Sequence, residues 1–119
     1  VTDSVFPLLI ETGIGVDLTG GDPTKAALRA VEDSIRRVIF PGMQHLLPGN
    51  DRANMRVEAT IAVPCPEQVD IAAVQAMFPY GTVKVTAVAG GHQQTNGLFD
   101  DDGNECLILV AVAVIAVGW

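Results

Sequence analysis

Residues 106–117 (CLILVAVAVIAV) constrain the fold more than any other stretch, because every side chain in the run is apolar. Crossing a bilayer as a helix takes roughly 18 or more such residues, and the alternation of Val and Ala with Ile and Leu is that of a strand. A strand apolar on both sides needs cover on both sides. The chain must therefore supply a sheet in which this strand is buried, together with helices to lie over it.

The remaining elements fit that requirement within a single domain spanning 1–119, the size expected of 119 residues of which 49% are hydrophobic. Residues 5–12 (VFPLLIET) read as a first strand with Pro7 near its start, where a missing N–H is tolerated. Asp22-Pro23 reads as N-cap and N1 of a helix running to about residue 39, with Ala27, Ala30, Val31, Ile35 and Val38 on one side. Lys25, Arg29, Glu32 and Arg36 form its opposite, solvated side. Residues 41–54 read as a connection rich in turn residues.

Residues 55–63 and 82–89 alternate as half-buried strands, with Val57, Ile61, Val83 and Val85 on the inner face. Between them, Asp70 is placed to cap a short helix over 70–78, stapled by Val69 and Val74. The polar segment 90–105 has no periodicity and reads as a lid, a binding loop or a disordered tip. The order β-α-β-α-β-β predicts an α+β two-layer sandwich: a four-stranded mixed sheet with both helices on one face. Glu11, Arg56, Glu58, Thr60, Lys84 and Thr86 are assigned to the other face. Since the last strand is apolar there too, that face is expected to be buried in a homo-oligomer.

Composition narrows the partners. Fourteen acidic against seven basic residues give a net charge of −7, and counterion release at nucleic acid needs clustered Lys and Arg. Neither nucleic acid nor membrane is expected as a partner. Cys65 and Cys106 are far apart without a C-x-x-C, and read as reduced, buried thiols of a cytoplasmic protein.

Candidate chemistry centres on residues 13–25 (GIGVDLTGGDPTK), read as a glycine-rich loop between strand and helix. Amides of Gly13, Gly15, Thr19, Gly20 and Gly21, with the helix N-terminus, are placed to hold an anionic group, and Asp17 to orient a ligand. The competing reading is a tight turn with Asp17 bonded to local amides. The spacing is neither a Walker loop nor a dinucleotide fingerprint. Lys25, in the first helical turn where a cation is unfavourable, points to a bound anion or a neighbouring carboxylate.

On the sheet face, Glu58 or Glu11 is a candidate general base, with Lys84 or Arg56 holding an oxyanion. Intersubunit salt bridges explain the same four charges equally well. His45 and His92 lack zinc spacing, and the acidic run at 100–104 fails the calcium-loop pattern, so no metal is expected. Nothing in the sequence calls for a cofactor, and Ser4 and Ser34 lack the setting of a nucleophile elbow.

Two resemblances add to this reading. The order of elements resembles the fold of the bacterial chorismate mutases and of the YjgF-like (RidA) proteins. It implies a mixed sheet with its last strands inserted centrally and a trimer with ligand sites between subunits. The stretch Gly13-Ile14-Gly15-Val16-Asp17-Leu18-Thr19-Gly20 is similar to the G-x-G-x-D-x-H-G signature of a family of small uncharacterised bacterial and plant proteins, with Thr19 in place of its His.

Together these features lead us to expect a small cofactor-free metabolic enzyme, a hydrolase or isomerase, acting on a compact polar or anionic metabolite near a subunit interface. Amide hydrolysis is one option by analogy with the cyanuric acid hydrolases, which are built from similar units. A non-catalytic binding or stress-response module is the alternative.

Overall fold

The computed structural model describes residues 4–119. The strands are β1 (Pro7–Asp17), β2 (Arg56–Val63), β3 (Thr82–Ala89), β4 (His92–Phe99) and β5 (Glu105–Gly118), and the helices α1 (Pro23–Arg36), α2 (Met43–Leu46) and α3 (Ile71–Gln75). They build a mixed α+β fold on a five-stranded open sheet ordered β1-β5-β2-β3, with β4 also paired to β5. β5 runs antiparallel to β1, β2 and β4, whereas β2 and β3 are parallel. The all-apolar strand is thus the central one, and α1 packs over it and over β1 while touching α3 beside it.

The core is the layer between sheet and helices. Leu109, Ala111, Ala113 and Ile115 of β5 meet Val57, Ala59, Ile61 and Val63 of β2 beneath Ala26, Ala27, Ala30 and Val31 of α1. Both helix starts follow their caps: Asp22 accepts from the N–H groups of Thr24 and Lys25, and Asp70 from that of Ala73. Thr24 ties the two starts together, its hydroxyl accepting the N–H of Asp70 at 2.9 Å.

The structure corrects several expectations. Strand β1 continues through Gly13, Gly15 and Asp17, so the glycine-rich loop shrinks to residues 18–22. Gly13 and Gly15 face α1, where a Cβ would lie 2.1 Å from the carbonyl oxygen of Ala30 and 2.2 Å from that of Ala26. These glycines bring helix and strand together. Segment 90–105 is neither lid nor disordered tip but β4, a turn, and the start of β5. Its backbone pairs with β5 while its polar side chains stay mostly exposed, which removes any apolar alternation.

The sheet consequently has five strands, not four. Helix α1 stops at Arg36 and α3 at Gln75, both short of Phe40 and Phe78, the residues preceding Pro41 and Pro79. Cys65 is exposed and Cys106 half-buried, so neither is the buried thiol expected.

Burial on β5 is also one-sided within a single chain. Leu109, Ala111, Ala113 and Ile115 are buried on the helix side, but Val114 is 45% exposed on the other face, near Ile10 (61%) and Ile14 (59%) of β1.

A candidate ligand pocket beside Glu11

The segment 17–25 is well satisfied by its own chain. Asp17 is only 4% exposed, and its Oδ2 accepts the N–H of Asp22 at 2.9 Å, which closes the turn. Arg29 approaches the other carboxylate oxygen at 3.6 Å. Gly20 lies against this carboxylate: a Cβ there would be 2.9 Å from Oδ2. Thr19, Gly20 and Gly21 do line a recess of about 370 Å³, but its opposite wall includes Asp100 and Glu105. Carboxylates there repel an anion, so the recess does not suit the anionic ligand expected of these amides. Lys25 is exposed, and its backbone N–H goes to the Asp22 cap.

The sheet-face constellation divides in two. Glu11 is in register with Ile115, and Ile115 with Ala59, which places Glu11 on the helix-covered side. Glu58 is in register with Ala116 and Lys84, on the open side. The two carboxylates therefore lie on opposite faces of the sheet and cannot act as an acid-base pair. Strand parity explains the error: Glu11 shares its face with Gly13, Gly15 and Asp17, which lie under the helix. Glu58 and Lys84 do come together, lining an open-face recess of about 230 Å³ with Ser4, Thr60 and Thr86. Arg56 reaches the carbonyl of Ser4 at 3.5 Å.

Glu11 instead belongs to a pocket of about 320 Å³ at the C-terminal end of α1, within the size range of small-molecule sites. Leu9, Val117 and Val57 lie side by side across three strands in its wall. Ile35 and Val38 close it from the helix side, Phe40, Met43, Arg52 and Met55 from the connection, and Phe78, Pro79 and Tyr80 from the turn before β3. Apart from Glu11, Arg52 and the Tyr80 hydroxyl the lining is apolar. Burial raises the pKa of Glu11 above its ordinary 4.5, because desolvation penalises the carboxylate. Arg52 lies over the ring of Tyr80, 5.0 Å from its centroid.

Local chemistry fixes these walls. Asp51 accepts the N–H of Ala53 at 2.9 Å, and the Asn54 side chain donates to the carbonyl of Pro48 at 2.8 Å, so the connection carrying Arg52 is tied to itself. The turn at Tyr80-Gly81 needs a residue at φ +78°, where a Cβ would strike the carbonyl oxygen of Met55 at 2.1 Å. The N–H of Thr82 donates to that carbonyl at 2.8 Å, which sets Met55 beside the turn that carries Tyr80.

Sequence reasoning found Glu11 but missed Arg52, Tyr80 and the aromatic walls. The available signal was the concentration of Phe40, Met43, Met55, Phe78 and Tyr80 in segments otherwise full of turn residues. Among the described residues, no three His, Cys, Asp or Glu side chains gather as a metal site, and no helix is long and apolar enough to cross a membrane.

The chain belongs to the Lin0512 family: the family model, described as a conserved hypothetical protein (Lin0512_fam), matches residues 7–117. Among solved structures it is similar to an FtsZ-like protein of unknown function from Nostoc punctiforme PCC 73102. That likeness has a TM-score of 0.85 and 32% identity, over 96% of this chain and 95% of that one. No curated protein matches.

Proposed function

We propose that this member of the Lin0512 family binds a small organic molecule in the Glu11 pocket and exchanges a proton with it, as a cofactor-free isomerase or hydrolase. The observation that carries this reading is the Glu11 carboxyl, the one carboxyl among the described lining residues, its pKa raised by burial in a mostly apolar cavity of ligand size. A carboxyl shifted in this direction holds its proton more readily than an exposed one, and serves to take a proton from one ligand atom and return it to another. Of the other candidates for catalysis, Asp17, Lys25 and Glu58, the Asp17 carboxylate accepts the N–H of Asp22, the Lys25 backbone N–H goes to the Asp22 cap, and Glu58 lies on the open face.

A thermal-shift screen of metabolites, with each hit then followed for turnover, tests the proposal. The expected hit loses its effect in Leu9→Trp, which fills the pocket, and is still bound but no longer converted by Glu11→Gln. A hit indifferent to Leu9→Trp overturns the site. Among the described residues the pocket contains no second carboxyl, histidine or thiol, and this favours one alternative, a non-catalytic binding module. A ligand that stabilises the wild type and is recovered unchanged supports that alternative.

We also read the sheet, with its last strand inserted between β1 and β2, as the chorismate mutase-like and YjgF-like arrangement. As in that arrangement, we take a trimer as the working assembly. A second copy of this chain is the occupant best suited to the open face. That face carries both an apolar stripe (Ile10, Ile14, Val114) and charges of both signs (Arg56, Glu58, Lys84), so it can complement itself. Light scattering should give about three times the 12.5 kDa chain mass, and a monomer at micromolar concentration overturns the assembly.

A further inference from the structure

We infer that the ligand of the Glu11 pocket is an organic acid: a flat apolar body with a carboxylate that reaches Arg52 and a hydrogen-bond donor turned toward Glu11. This rests on the pocket being a ligand site.

The charges around the cavity are few and unlike one another. Among the described residues Arg52 is its one basic residue, and Glu11 its one acidic residue. Ion pairs along α1 engage Arg29, Arg36 and Arg37. Among the described residues no carboxylate pairs with Arg52, whose guanidinium meets only the face of Tyr80. Stacking on a ring leaves the edge of a guanidinium, with its fork of N–H donors, open for a bidentate carboxylate. The neighbouring Asp51 carboxylate is occupied by the N–H of Ala53.

Glu11 sets the other requirement. Among the described residues no hydrogen-bond donor meets the carboxyl of Glu11, half-buried beside Leu9, Ile35, Val57 and Val117, so a ligand hydroxyl or N–H would restore what burial removed. Between the two polar groups the walls offer rings and thioethers (Phe40, Phe78, Met43, Met55), which favour a planar apolar body. A cationic ligand would gain Glu11 but would place its charge in the same small cavity as Arg52.

The test uses phenylacetate, phenylacetamide and phenethylamine, which share a ring and differ in charge, with binding followed by amide chemical shifts on the wild type and on Arg52→Met. Phenylacetate is expected to bind most tightly, shifting residues 9–11, 52–57 and 78–81, and to lose at least tenfold in affinity in Arg52→Met. Phenylacetamide should bind both proteins alike. If the amide or amine binds as well as the acid, or if Arg52→Met leaves phenylacetate binding unchanged, the ligand class is wrong while the pocket stands. If none of the three shifts those residues, both the class and the pocket reading fall.

Discussion

The carboxylate of Asp33 accepts the backbone N–H of Ile14 at 2.9 Å. It is the middle rung of three, for Arg29 donates to the carbonyl of Val16 at 2.6 Å and Arg37 to that of Thr12 at 2.6 Å. Four helical residues advance about 6 Å and two strand residues about 6.7 Å, so side chains spaced by four on α1 stay in step with alternate residues of β1. The charged side of the helix thereby covers the free edge of β1, where open N–H and C=O groups would recruit another strand.

Removing the middle rung should expose that edge. Asp33→Ala, which also removes the ion pair to Arg37 at 3.2 Å, is expected to cost about 1.5–3 kcal/mol in urea unfolding, the scale of a hydrogen bond to a charged group. It should also increase association at high protein concentration, read by light scattering. Unchanged unfolding and unchanged scattering would mean that the Asp33 rung contributes nothing.

Gly13 and Gly15 are constrained by packing rather than by ligand binding. An alanine at either position drives its Cβ into the backbone of α1, and overpacking of this kind costs about 3 kcal/mol. Gly13→Ala and Gly15→Ala should each lower the urea midpoint sharply. A mild loss of stability accompanied by lost ligand binding would restore the loop reading.

Much of the fold was legible in the sequence. The caps Asp22 and Asp70, strands β2 and β3, and the apolar run that became β5 all follow from local pattern, and each lies where that pattern put it. What was missed depends on partners distant in sequence. Gly-Ile-Gly-Val-Asp alternates as a strand should, but glycine is also the usual mark of a turn, and only the approach of Ala26 and Ala30 decides between them. β4 has no apolar face of its own, and its existence depends on the unpaired half of β5 beyond β2. For the pocket, Glu11 was found but placed on the wrong face, and Arg52 and Tyr80 acquire meaning only when two turns meet.

Glu11 gives a pH signature. With its folded pKa raised by burial, the native state holds the proton more tightly than the unfolded chain. Its contribution is therefore most favourable below the unfolded pKa and is lost as pH rises through the folded value. Glu11→Gln should unfold at a higher temperature than the wild type at pH 7, with the gap closing by about pH 4. A gap independent of pH would show that the Glu11 carboxyl is not penalised by burial.

Ser34 is buried, and among the described residues its hydroxyl has no hydrogen-bond partner. Such a group costs about 1–3 kcal/mol in lost solvation, so Ser34→Ala should be neutral or raise the melting temperature. A clear drop would point to a partner for the hydroxyl in solution.

Amide chemical shifts recorded while a small-fragment library is titrated into the isotopically labelled protein would locate the ligand site most directly. Perturbations are expected to converge on Leu9, Glu11, Met55, Val57 and Tyr80, the strands and turns that wall the Glu11 pocket. Perturbations converging instead on Thr19, Gly20, Gly21 and Leu107, with the Glu11 pocket silent, would contradict that assignment and return the site to the glycine turn.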